Sequence, residues 1–238
     1  MGEGAERLQN ERRKAWTEQQ SVFIYRLAVT LVGLILRFWV RRFRAVGVEN
    51  VPATGGAFLI ANHTSAMDPF ILGYPVKQRM LRGPGKVELF ENRFFAYLMR
   101  RLGIFPLRQD IADAAAVRTM VALYRRGDMV IVYPEGGRSP TGELQPFLPA
   151  FTRLVIKLQA PLVPAGIAGG RELLPIGARI PRYNSPVAVV YGRPFDLSAY
   201  YGRNPSPDTV ERATAELQNR IAELVERACA ERTGLLEG

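Results

Sequence analysis

Short, continuous apolar runs alternate with longer stretches of helical periodicity over most of the chain after residue 56. Residues 57–61, Ala-Phe-Leu-Ile-Ala, contain no polar position, as expected of a strand buried on both faces. Residues 129–133, 162–168 and 187–191 repeat that pattern. Between them, residues 111–127 and 151–159 read as helices. Asp110 is placed to cap the first, which stops at Gly127 with Arg125 and Arg126 in its last turn. Ser206-Pro207 opens a long amphipathic helix, with proline at its first position and Val210, Leu217, Ile221 and Leu224 pointing inward. Strands alternating with helices predict a single α/β domain, a mostly parallel sheet flanked by helices. Ligands of such sheets bind beyond the carboxyl ends of the strands.

The N-terminal part follows a different pattern. Residues 1–20 mix charges without an apolar stripe, and an apolar stretch then runs over 22–40, interrupted by Arg26 and Arg37. Its uninterrupted part, 27–36, is half of the roughly 20 residues needed to cross a bilayer. Arg26, Thr30, Gly33 and Arg37 share one helical face, and Arg44 continues the line. Phe23, Leu27, Leu31, Leu34, Ile35 and Phe38 occupy the other, with Tyr25 and Trp39 as aromatic anchors near the ends. Arg37, Arg41, Arg42 and Arg44 are placed to meet anionic headgroups. The pattern predicts an amphipathic, membrane-associating helical arm over residues 1–46, ahead of an α/β domain over 47–238. The alternative is a helix whose apolar face packs on the domain core.

Charge sharpens the membrane reading without deciding it. The formal net charge of +10 and pI of about 10.2 predict attraction to a polyanion: an anionic bilayer, nucleic acid or a phosphorylated substrate. The chain has one cysteine, Cys229, and one histidine, His63, so neither an intramolecular disulfide nor a zinc-ligand set is expected. Cys229 reads as a small apolar filler in the last helix. The lone cysteine suits a reducing, cytosol-facing location.

Chemistry enters directly after the 57–61 strand, in Asn62-His63-Thr64-Ser65-Ala66-Met67-Asp68-Pro69. His63 and Asp68 are five residues apart and would not share a face of one regular helix. A strand-to-helix turn, with Asp68-Pro69 as the helix start, lets the loop fold His63 back onto the carboxylate. An aspartate bonded to one imidazole nitrogen fixes the tautomer and leaves the other nitrogen as a general base.

Three further segments follow: Lys86-Val87-Glu88-Leu89 leading to Gly103-Ile104-Phe105-Pro106-Leu107-Arg108, then Tyr133-Pro134-Glu135-Gly136-Gly137-Arg138-Ser139, then Val163-Pro164-Ala165-Gly166-Ile167. With Asn-His-x4-Asp they make the chain resemble the glycerolipid acyltransferases, the 1-acylglycerol-3-phosphate acyltransferases among them, over roughly residues 47–195. The resemblance implies His63 as base and Asp68 as its orienting partner. It implies Arg108, Glu135, Gly136 and Arg138 as contacts to a glycerol phosphate, Lys86 as a basic position near them, and Val163-Pro164 as part of the acyl-binding region. The residues are suited to those tasks. Arg108 and Arg138 offer forked donors to a phosphate, and Gly136-Gly137 allows backbone N–H groups to approach an anion. Glu135 is expected to contact substrate or to pair a buried arginine. Ser65 and Ser139 read as turn residues rather than nucleophiles.

The resemblance implies acyl transfer from acyl-CoA or acyl carrier protein, as co-substrate and with no cofactor or metal, to the free hydroxyl of lysophosphatidate, giving phosphatidate at the cytoplasmic face of the cell membrane. Gly137, Ala150 and Leu107 depart from the residues usual in the family, which puts the acceptor rather than the reaction in question. Another lysophospholipid, a glycolipid or an aminolipid is the alternative acceptor. A non-catalytic basic membrane module is the alternative of a different class. Nucleic acid is not an expected partner, since neither a recognition motif nor an interleaved aromatic-basic surface is visible.

Overall fold

The computed structural model describes residues 22–40, 42–108, 113–202 and 204–237. In chain order its strands are β1 (Phe43–Val46), β2 (Ala57–Ala61), β3 (Leu81–Lys86), β4 (Ile104–Leu107), β5 (Met129–Val132), β6 (Leu162–Ala168) and β7 (Val187–Tyr191). The helices are α1 (Val22–Trp39), α2 (Asp68–Gly73), α3 (Arg93–Arg101), α4 (Ala114–Arg125), α5 (Pro149–Leu158), α6 (Gly170–Leu173) and α7 (Pro207–Glu237). One seven-stranded sheet has the order β1-β7-β6-β2-β5-β3-β4. Every neighbouring pair is parallel except β6 and β7, so β1 and β7 run against the other five strands. The α/β class and the mostly parallel sheet are as the alternating pattern predicts.

Period-two alternation divides the core between the two faces of the sheet. Leu59 and Ala61 of β2 join Met129, Ile131, Val163 and Ile167 beneath α1 and α2. Phe58 and Ile60, of the opposite parity, join Val130, Val132 and Leu162 beneath α4, α5 and α7. All five residues of β2 are buried, which is why that strand carries no polar residue. The inward residues expected of α7 (Val210, Leu217, Ile221 and Leu224) are all buried, and Ser206 caps its first turn by accepting the Thr209 N–H at 3.1 Å.

Some expectations need correction. Asp110 and Ile111 lie outside the described residues; α4 is capped by Asp113, which accepts the N–H groups of Ala115 and Ala116. Cys229 is exposed on α7 rather than filling a core position. Arg44 does not extend the face of the N-terminal helix. It lies on β1, which pairs with β7, and its guanidinium reaches Glu231 at 2.7 Å. Arg42 is similarly occupied by the Leu235 carbonyl, and Arg41 lies outside the described residues.

Helix α1 docks and stays exposed at once. A seam of Tyr25, Gly33, Leu36 and, just past its end, Val40 faces the domain: the Tyr25 hydroxyl accepts the Leu81 N–H, and Gly33 lies against the Tyr74 ring. Phe23, Leu27, Leu31, Leu34 and Phe38 point outward, each between 48% and 74% exposed; the Ile35 side chain lies outside the described residues. With 18 residues and a mean hydropathy of 1.8, α1 is apolar enough to cross a membrane. Its length of about 27 Å is slightly short of a hydrocarbon core, and its seam ties it along the protein.

Candidate active site

Five strands end on one edge of the sheet, and the segment with the histidine leaves from β2, the middle strand of the seven. The buried Asn62 side chain fixes the end of β2 to β6 by bonding both the N–H and the carbonyl of Ile167. The next six residues make a tight turn into α2. Asp68 is fully buried, and its Oδ2 accepts the Thr64 N–H at 2.6 Å, the Ser65 N–H at 2.7 Å and a bond from His63 Nδ1 at 2.9 Å. An oxygen already taking two backbone N–H groups acts as an acceptor, so Nδ1 carries the proton and Nε2 presents its lone pair. The structure thus brings together His63 and Asp68, which the spacing paired. Ser65 and Ser139 are both engaged in loop hydrogen bonds.

The segment after β5 braces the histidine from its other side. Glu135 Oε1 accepts the His63 N–H at 2.6 Å, and Ser139 N–H donates to the His63 carbonyl at 2.7 Å. Glu135 Oε2 takes the Gln145 N–H at 2.8 Å, so one carboxylate joins the histidine loop to the loop leading into α5. Of the expected roles, the arginine partner is not what Glu135 holds among the described residues, where its carboxylate accepts two backbone N–H groups. Tyr133 stacks on the imidazole with ring centroids 3.9 Å apart and planes 12° from parallel. Its signal in the sequence is an aromatic residue just before Pro134-Glu135, legible only once β5 is known to lie beside β2.

The basic candidates gather on the same edge. Lys86 ends β3 opposite Leu107 of β4, which puts Arg108 next to it along the edge; both are exposed. Arg138 is half-buried in the loop after β5, and Gly136 in that loop has φ +76, where a Cβ would also strike Leu148. None of Lys86, Arg108 and Arg138 is held in an ion pair among the described residues. Three cations and a free imidazole nitrogen on one edge suit a phosphorylated molecule carrying a hydroxyl.

A family model described as Acyltransferase matches residues 42–168, which span β1 to β6 and every candidate site residue. The chain belongs to the acyltransferase family. It is 27% identical to the 1-acyl-sn-glycerol-3-phosphate acyltransferase of Bacillus subtilis over 179 residues, 74% of this chain and 84% of that one. It is 26% identical to the enzyme of that name from Pseudomonas aeruginosa over 196 residues, 80% of this chain and 70% of that one. In fold it resembles the crystal structure of the 1-acyl-sn-glycerophosphate (LPA) acyltransferase PlsC from Thermotoga maritima. The TM-score is 0.64 at 22% identity, covering 94% of this chain and 83% of that one.

In this site the Glu135 carboxyl titrates well above its ordinary range. Burial, helped by the nearby Asp68 charge, pushes its pKa up to about 7 against the pull of two N–H donors. A carboxyl raised in the fold keeps its proton while the unfolded chain loses it, so its contribution to stability is complete below about pH 4.5 and lost as pH rises through about 7. The difference in melting temperature between the parent and Glu135→Gln should therefore move against the parent from pH 4.5 to 7 and level off above 8. A difference independent of pH in thermal melts would contradict the raised pKa.

Proposed function

We propose that the chain moves a fatty acyl group from a thioester, acyl-CoA or acyl carrier protein, to the free hydroxyl of lysophosphatidate, producing phosphatidate. The observation that carries this reading is His63, whose Nδ1 is committed to Asp68 and whose Nε2 makes no bond among the described residues, on an edge with Lys86, Arg108 and Arg138, none of which is in an ion pair among those residues. The acceptor phosphate docks on Arg108 and Arg138, with Lys86 beside them, and this places its hydroxyl at Nε2. His63 takes the hydroxyl proton as the oxygen attacks the thioester carbonyl. The carbon–sulfur bond then breaks, and the departing sulfur receives the proton. Asp68 stabilises the imidazolium between these steps. Tyr133 and the Glu135 brace hold the ring and its backbone in place. Membrane association through the exposed stripe of α1 fits an acceptor that resides in a bilayer.

Support for lysophosphatidate comes from the names of the relatives together with the cation cluster; Gly137, Ala150 and Leu107 leave another lysophospholipid as the second reading. Thiol release from acyl-CoA with a panel of acceptors, beginning with lysophosphatidate and glycerol 3-phosphate, tests both. Arg138→Ala should raise the KM for a phosphorylated acceptor roughly ten- to hundredfold, the loss of a charge-assisted bond of about 1.5–3 kcal/mol. An unchanged KM would remove Arg138 from the phosphate site. Thioester-independent vesicle binding with no transfer to any acceptor would favour the non-catalytic module.

A further inference from the structure

Between α6 and β7 the chain runs through residues 174–186, Leu-Pro-Ile-Gly-Ala-Arg-Ile-Pro-Arg-Tyr-Asn-Ser-Pro, without an acidic residue. Ile176, Ile180 and Tyr183 are 45%, 69% and 49% exposed, and Arg179 and Arg182 between and beside them are exposed too. The loop is fastened on three sides. Ser65 Oγ, in the turn that holds Asp68, donates to the Leu174 carbonyl at 2.9 Å. Arg182 N–H returns to the Leu173 carbonyl at 2.6 Å, and Asn184 N–H bonds the Trp39 carbonyl at 2.8 Å. The Tyr183 ring meets Phe38 at 5.8 Å and Trp39 at 6.3 Å.

Phe38 is the last member of the outward stripe of α1, so the exposed apolar surface continues without a break from the helix into this loop. Singly exposed apolar residues are ordinary, but a contiguous patch of this kind marks an interaction site. Charge selects the occupant. Two copies of a chain with net charge +10 would bring arginine-lined loops against each other, whereas an anionic bilayer complements them. The side chains are also those that partition at a membrane surface: tyrosine at headgroup depth, isoleucine below it, arginine reaching lipid phosphates.

We propose that residues 174–184 are a second membrane-inserting element, which acts with α1 to seat the carboxyl edge of the sheet, and His63 with it, on an anionic lipid surface. The loop begins one hydrogen bond from the Asp68 turn, so a lipid acceptor reaches the base without crossing bulk water. Delivery of the acceptor rests on the acyl-transfer reading; insertion of the loop does not.

The single native cysteine makes insertion directly readable. In a Cys229→Ser background, Ile180→Cys carries an environment-sensitive fluorophore, and Asn219→Cys on the exposed side of α7 carries the control. Vesicles of roughly three parts phosphatidylcholine to one part phosphatidylglycerol should blue-shift and brighten the label at 180 and leave the one at 219 unchanged. Unlabelled Ile180→Asp should lower vesicle partitioning by about tenfold with α1 intact, and thermal melts should show it folded, since the site is exposed. A label at 180 that stays in water, or Ile180→Asp binding vesicles as the parent does, overturns the proposal. So does a dimer in sedimentation that Ile180→Asp dissociates, which would assign the surface to a second copy. Adding His63→Ala to the labelled protein should leave the signal intact, so a failure of acyl transfer is seen separately from a failure to insert.

Discussion

His63→Ala should reduce acyl transfer by at least about a thousandfold, at the upper side of what a positioned general base contributes. The fold should survive, because the main chain of residue 63 keeps its bonds to Glu135 and Ser139 and only the ring is removed. The ring is about one-seventh exposed, so the cavity left opens towards solvent rather than into the core. The loss should fall on kcat, with the KM for the phosphorylated acceptor changed little, since Arg108 and Arg138 remain. Thiol release under saturating donor, next to a thermal melt of the same sample, is the measurement. Near-normal turnover in a folded protein would end the role of His63 as base. Glu135, pushed up to about 7 by burial, should leave a step near neutrality in the pH profile that Glu135→Gln removes; a profile unchanged in that variant would show that the brace does not reach turnover.

The fold was legible where burial is complete on both faces. The residues 57–61, 162–168 and 187–191 read as strands coincide with β2, β6 and β7, because a strand covered on both sides has no place for polar residues. Strands β3 and β4 escaped for the opposite reason. Ile-Phe-Pro-Leu of β4 forms the sheet edge, and Leu-Arg-Gly-Pro-Gly-Lys of β3 lies beside it, pairing with β5 only through Leu81 and Arg82, so glycine and proline are tolerated and only part of each strand is buried. The antiparallel setting of β7 also left no mark in sequence, since its residues are as apolar as those of a parallel strand. In the site, the His63–Asp68 pair was readable from spacing because both partners belong to one turn. Tyr133 and the Glu135 brace were not, since each depends on strands β2 and β5 being neighbours.

Asp68→Asn should lower kcat by roughly a hundred- to ten-thousandfold while leaving the fold and both KM values largely in place, the effect expected when a base loses its tautomer. Oδ2 receives three N–H donors. An asparagine oxygen can replace it only if the amide nitrogen takes the Oδ1 position, which is buried and offers no hydrogen-bond partner. The other amide orientation sets donors against donors and turns the His63 ring, and either outcome weakens the base. Gly170 tests the same geometry from a different element. A Cβ there would stand 2.3 Å from Asp68 Oδ1 and 3.2 Å from Thr64 Oγ1, although its backbone lies outside the left-handed region and by itself admits alanine. Gly170→Ala must therefore displace the carboxylate and should cost kcat through Asp68. Combined with Asp68→Asn it should add little, because two changes that disable one unit do not sum. Independent, multiplying losses in the double variant would show that Gly170 serves the fold rather than the pair.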